Sequence, residues 1–397
     1  MQLTYKSLRV GTLALGLCTL ATCLTGCNGG SSSDGSPAST TPIGASPQTQ
    51  GFDATVLVAG PESVFDTDTS LTDSNLSKPW DLAVGDGPIW VANAHTTVAT
   101  VYDANGVSRN DPVAIPGSRG GSHVTGVVET AGATAFRVSA NGITGPAAYI
   151  FSTSSGTLAA WSADSGFGRQ AATVYTDPAG SAEYTGLALL ASGGSSFLFA
   201  ADFGNGRIDT FDSGFIKISP RGAFRDPTLP AGYKPFNIQT LGDRLAVVYA
   251  KPREASGVLT IVEGAGIGIV SLFDASGNFE RRLITGGPLN APRGIALAPD
   301  NFGELGGKVL VANAGDGRIN AFDRSTGAFA GTVNDANGTA LTLRGLSALA
   351  FRNGDRIGAG NSGSGVGTLS DNTLFFTTGT VRSAESAFGR IQPAPVR

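Results

Sequence analysis

The chain has 397 residues and a formal net charge of −4, with 57 Gly, three Cys, two His and one Met. Hydrophobic residues make up 41% and charged ones only 15%, at a mean hydropathy of +0.08, which excludes a disordered chain and a multi-pass membrane protein. A pI near 5.3 argues against nucleic acid as a partner, and the Gly excess lacks the strict three-residue period of collagen.

In chain order, the first element is a short basic region, Lys6 and Arg9, followed by an apolar stretch from Val10 to Leu24. This reads as a secretory signal, residues 1–26. It closes on Leu24-Thr25-Gly26-Cys27, which resembles the lipobox of bacterial lipoproteins. The resemblance implies cleavage before Cys27, acylation of that residue and attachment to a membrane through it. Asn28 is not the Asp that resembles an inner-membrane retention signal, so the expected address is the outer membrane of a bacterial cell envelope. Cleavage would remove Cys18 and Cys23 and leave no thiol for a disulfide, a metal or a nucleophile. Losing Lys6 and Arg9 would also take the formal charge from −4 to −6. Residues 27–51 are dominated by Gly, Ser, Pro and Thr, as in Ser31-Ser32-Ser33-Asp34-Gly35-Ser36-Pro37, and read as a flexible tether.

From Phe52 the pattern is all-β: short β-branched and aromatic runs broken by Gly, Asp, Asn and Pro, with no sustained helical period. The runs repeat. Ile89-Trp90-Val91-Ala92-Asn93-Ala94 through Tyr102-Asp103 superposes without a gap on Val309-Leu310-Val311-Ala312-Asn313-Ala314 through Phe322-Asp323. Phe199-Ala200-Ala201-Asp202 through Phe211-Asp212 is a third copy, and Tyr149-Ile150-Phe151-Ser152 through Trp161 a weaker fourth. The aromatic-Asp pairs run into Gly turns such as Tyr102-Asp103-Ala104-Asn105-Gly106. Six short apolar strands open the units, beginning near Pro79, His123, Tyr184, Lys234, Ala291 and Leu343, roughly 44 to 61 residues apart. Such spacing predicts four-stranded blades around a channel, a six-bladed β-propeller over residues 52–397. The sixth unit runs out of chain, so Ala54-Thr55-Val56-Leu57-Val58 is expected to supply its outer strand and close the ring.

Pro292-Arg293-Gly294-Ile295-Ala296 through Asp323 resembles an NHL repeat. The span 52–397 resembles an uncharacterised family of exported bacterial six-bladed propellers, through stretches such as Gly232-Tyr233-Lys234-Pro235-Phe236-Asn237 and Gly286-Gly287-Pro288-Leu289-Asn290. The resemblance implies the fold and assigns no chemistry.

Strand order puts the starts of the opening strands and the ends of the second strands on one face. Asp81, Asn93, Asp202, Asn237 and Asn313 are therefore expected near the mouth of the channel, where their oxygens suit Ca²⁺. Propellers similar to the gluconolactonase and paraoxonase groups hold catalytic calcium there. His95 and His123, from adjacent blades on that face, are the general-base candidates. Trp80, Arg293, Arg344, Lys251 and Arg253 are the ligand-contact candidates, the last two on a long insertion, Lys251–Gly268. The leading expectation is a monomeric, lipid-anchored envelope module that binds a carbohydrate, a peptide or an envelope protein. The alternative is a calcium-dependent hydrolase or lyase of the lactonase or esterase kind.

Overall fold

The computed structural model describes residues 50–395, apart from 62, 64–70, 86, 118–119, 131–134, 165, 254–259, 353–371 and 381–384. The signal, Cys27 and nearly all of the tether thus lie outside the described residues, as does almost all of the Gly/Ser-rich segment after Asn353's predecessor, Arg352.

The strands fall in the expected order. The first two are β1 (Phe52–Ala59) and β2 (Leu71–Thr72). Blade 1 is β3 (Pro79–Ala83), β4 (Ile89–Asn93), β5 (Val98–Tyr102) and β6 (Ser108–Ala114). Blade 2 begins with β7 (Val124–Glu129). A separate hairpin, β8 (Arg137–Ala140) and β9 (Ile143–Pro146), interrupts it before β10 (Tyr149–Thr153), β11 (Thr157–Trp161) and β12 (Ala172–Thr176). Blade 3 is β13 (Tyr184–Ser192), β14 (Ser195–Asp202), β15 (Arg207–Phe211) and β16 (Lys217–Ile218). Blade 4 is β17 (Lys234–Leu241), β18 (Arg244–Ala250), β19 (Ile269–Phe273) and β20 (Phe279–Thr285). Blade 5 is β21 (Pro292–Leu297), β22 (Lys308–Asn313), β23 (Ile319–Asp323) and β24 (Phe329–Thr332). Blade 6 is β25 (Leu346–Phe351), β26 (Leu374–Thr378) and β27 (Ala387–Pro393), completed by β1.

β1 pairs antiparallel with β27, from Phe52 opposite Pro393 to Ala59 opposite Ala387. The first strand therefore closes the ring as its sequence predicts, and among the described residues the short β2 adds to it, parallel, on the outside. The core is not one mass. Six buried clusters each fill one junction between neighbouring blades, among them Tyr102 stacked on Phe388 between blades 1 and 6 and Trp90 stacked on Tyr149 between blades 1 and 2. Both faces of every inner blade are covered, so strands such as β4 and β10 are buried at each residue.

The aromatic-Asp repeat has a physical role. Asp103, Asp212, Asp274 and Asp323 each accept two backbone amides of the turn between the third and fourth strands through one carboxylate oxygen. Blade 2 has Ser162 at that place, and among the described residues its hydroxyl accepts one amide of the turn, that of Asp164. That difference is why this copy of the repeat is faint.

Candidate functional site at the channel mouth

Each inner strand carries a register shift against its neighbour close to its start: at Trp80 in β3, Thr125 in β7, Thr185–Gly186 in β13, Phe236 in β17, Arg293–Gly294 in β21 and Ser347 in β25. A bulge bends the strand and re-aims a side chain. Repeated six times around the ring, it turns one residue per blade toward the axis.

These residues tie the blades together. Thr125 donates its hydroxyl to the Tyr184 carbonyl, Thr185 to the Phe236 carbonyl and Ser347 to the Trp80 carbonyl. The next residue in each strand lies against the following blade. A Cβ on Gly294 would stand 2.8 Å from the Leu349 nitrogen, and one on Gly186 would collide with Asn237. Where that residue is polar it bonds sideways instead: Asp81 accepts the Val127 amide at 3.0 Å, and Asn237 donates to the Arg293 carbonyl at 2.9 Å.

The three large members of the column meet across the channel. The guanidinium carbon of Arg293 lies 3.8 Å from the centre of the Trp80 ring and 5.0 Å from that of Phe236, and the two ring centres are 5.9 Å apart. Blades 1 and 5 are not neighbours, so this contact passes over the axis. Trp80 Nε1 also reaches a distant blade, donating to the Thr185 carbonyl at 3.0 Å. Phe203 stands edge-on to Phe236 at 5.1 Å, and Ala94, Ala250, Ile261 and Ala291 complete the same buried cluster. All come from the starts of first strands, from the residues just before them, or from the ends of second strands and the connections after them, which is the face the sequence singles out.

Arg293 is 4% exposed, and its Nη2 has no hydrogen-bond partner among the described residues. Burial pulls its guanidinium down to about 9, while the charge of Asp81 acts in the opposite direction. It stays protonated at neutral pH.

Of the calcium candidates, Asp81, Asn237 and Asp202 have their oxygens engaged elsewhere. Asp81 also accepts the Leu82 amide, and Asn237 Oδ1 accepts the Ile238 amide. Asp202 accepts the amides of Glu183 and Asn205 and pairs with Arg207 at 3.3 Å. The Asn93 amide bonds Val91, Val98 and Thr100, and the Asn313 amide bonds the Pro288 carbonyl; the Oδ1 of both has no partner among the described residues. Among the described residues no three His, Cys, Asp or Glu side chains come together in a metal-holding group.

The two histidines lie on adjacent blades. His123 Nδ1 is 2.9 Å from the carbonyl of Ala94, the residue before His95, so that nitrogen is the donor. His95 is exposed, with Nδ1 3.3 Å from the Ser77 hydroxyl. Lys251 lies 4.8 Å over the Tyr233 ring, while Arg253 and Arg344 are exposed. The connection that carries Lys251 returns as a ladder, Arg253 donating to Thr260 and Val262 to Lys251, and delivers Ile261 to the axial cluster. Sequence reasoning missed Phe203, Phe236 and Ile261; an alignment of the bulge column across the six units marks Phe236.

Fold and mouth together define a six-bladed β-propeller with an aromatic and cationic plug at one end of its channel. The chain belongs to the family of uncharacterized protein R648 of Acanthamoeba polyphaga mimivirus, with 31% identity over 286 residues, covering 70% of this chain and 69% of that protein. No family model matches the chain. Among solved structures, a Bacteroides thetaiotaomicron protein of unknown function superposes with a TM-score of 0.54 at 10% identity, covering 87% of this chain and 76% of that one. The soluble aldose sugar dehydrogenase of Escherichia coli reaches 0.50 at 14% identity, covering 86% and 100%. These likenesses show the fold alone.

Proposed function

We propose that the chain is a binding module of the bacterial cell envelope, held to the outer membrane by a lipid on Cys27, which takes its ligand at the channel mouth. The observation that supports this reading is the convergence of Trp80, Phe236 and Arg293 over the axis. Around it stand Lys251, Arg253 and Arg344, on loops fixed by a closed ring. Rigid rings that carry recognition on their loops bind without ordering costs in the scaffold. The oxygens of Asp81, Asp202 and Asn237, three of the five that a calcium-dependent hydrolase would use, accept backbone amides instead, which favours binding over that chemistry.

Two measurements test the reading. In a bacterium that processes lipoproteins, the chain incorporates labelled palmitate and partitions into detergent; Cys27→Ser abolishes both. A label that survives the substitution refutes the anchor. For the mouth, a glycan and peptide array is probed with the detergent-solubilised full chain and with a triple variant, Lys251→Glu, Arg253→Glu and Arg344→Glu. Ligands lost in the variant support the site, and ligands bound equally by both refute it.

A further inference from the structure

We propose that Arg293 is the anchor for the carboxylate of a small organic acid with an apolar body, bound in the channel mouth. The proposal deepens the binding reading above and rests on it.

The bulge column shows that the fold does not need a charge here. Its other five members are neutral: Trp80, Thr125, Thr185, Phe236 and Ser347. The three hydroxyls bond a neighbouring blade's carbonyl and the two aromatics pack. Arg293 bonds its neighbour only through its backbone carbonyl, which accepts from Asn237. Its guanidinium is buried and leaves Nη2 without a partner among the described residues. Burying a cation in this way is costly, and leaving one of its donors unused adds to the cost. Three other blades carry Thr or Ser at the equivalent place, so the blade geometry itself does not call for the charge.

The geometry says what would repay the cost. The distances of 3.8, 5.0 and 5.9 Å among guanidinium, Trp80 and Phe236 form a nearly right-angled triangle. The rings therefore wall two adjacent sides of the cation and do not sandwich it. Guanidinium donors lie in the guanidinium plane and match a planar carboxylate. Asp81, whose charge acts on Arg293, holds its own oxygens on the amides of Leu82 and Val127. The rings pack with Phe203 and Ile261 in one buried cluster, so the surroundings beside the cation are apolar and suit the hydrocarbon part of a ligand that enters among them. An acid with a short hydrocarbon body satisfies both features.

The test is thermal unfolding of the full chain in detergent at constant ionic strength with sodium butyrate, with its neutral isostere butyramide, and with inorganic phosphate. Butyrate is expected to raise the midpoint saturably, butyramide to leave it unchanged and phosphate to bind at least tenfold more weakly. Arg293→Met is expected to unfold at or above the wild-type midpoint and to lose the butyrate response, while Arg293→Lys keeps a weakened one. Three results overturn the proposal: no saturable butyrate shift in the wild type, an equal shift in Arg293→Met, or phosphate binding as tightly as butyrate. Failure of Arg293→Met to fold overturns it too, since the guanidinium would then be a structural pillar. If butyrate fails while array ligands still depend on Lys251, Arg253 and Arg344, the carboxylate anchor falls and the binding face stands. If neither responds, both fall.

Discussion

Asp226 offers a sharp test of how the mouth is held. It lies in the long connection from β16 to β17, which carries the chain from the rim of blade 3 to Tyr233 and Lys234 at the axis. Its carboxylate is fully buried and forked onto Arg282 of β20, with Nε and Nη2 each 2.9 Å away, and it accepts the Ser271 hydroxyl at 2.8 Å. Breaking a buried pair from one side costs about 3–5 kcal/mol, and the 19% exposure of Arg282 places Asp226→Asn near about 3 kcal/mol. With an unfolding entropy of about 2.1 cal/mol/K per residue over roughly 340 residues, that is a fall of about 4 °C in the midpoint. Burial alone would raise this carboxyl, but the Thr228 amide, the Ser271 hydroxyl and the Arg282 guanidinium outweigh it and hold it below the ordinary value. The stabilisation is therefore complete above the unfolded value of about 3.9 and is lost as pH falls through the lower folded value. Thermal scans of wild type and Asp226→Asn from pH 7 downward should converge in strong acid. A midpoint loss below about 1 °C at pH 7, or a coupling to Arg282→Met under about 0.5 kcal/mol in a double-mutant cycle, would refute the reasoning.

Gly294→Ala forces a Cβ to within 2.8 Å of the Leu349 nitrogen and should cost about 1–3 kcal/mol in urea unfolding; a neutral result would mean that blades 5 and 6 can part freely at the bulge. Phe388→Ala removes a ring stacked on both Tyr102 and Phe375, and about 3–5 kcal/mol should go with it; a loss under about 1 kcal/mol would show that this junction contributes little. Thr185→Val deletes the hydroxyl that bonds the Phe236 carbonyl and should lower stability by about 1 kcal/mol without altering the far-ultraviolet spectrum. Because the oxygens of Asp81, Asp202 and Asn237 are spent on amides, Ca²⁺ and EDTA should leave the midpoint unchanged. A saturable rise with Ca²⁺ that Asp202→Ala removes would overturn that assignment.

Much of the ring was legible because its repeats obey local rules. The aromatic-Asp-Gly turns announce themselves through the amides that Asp103 and Asp274 accept, and the missing last strand could be supplied by residues 54–58 alone. The hairpin Arg137–Ala140 with Ile143–Pro146 was not foreseen, since it lies outside the repeat and imposes no period on it. The mouth was legible as an address more than as a chemistry. Asp and Asn at strand ends suggest ligand oxygens, but whether they face a cavity or an amide depends on a bulge, and a bulge is a property of pairing between strands. For the same reason Arg293 read as one candidate among several, and Phe236 as core.

The closing strand also sets where the two described ends of the chain meet. β1 runs toward the mouth face along blade 6, from Phe52 beside Pro393 to Ala59 beside Ala387. Pro393 ends a strand that starts at the mouth face, so the chain enters the ring on the opposite side, where Ala394 bonds back to Gly51. The two described ends of the chain therefore meet on the side away from Trp80 and Arg293, and a pull applied there reaches the mouth only through the length of blade 6.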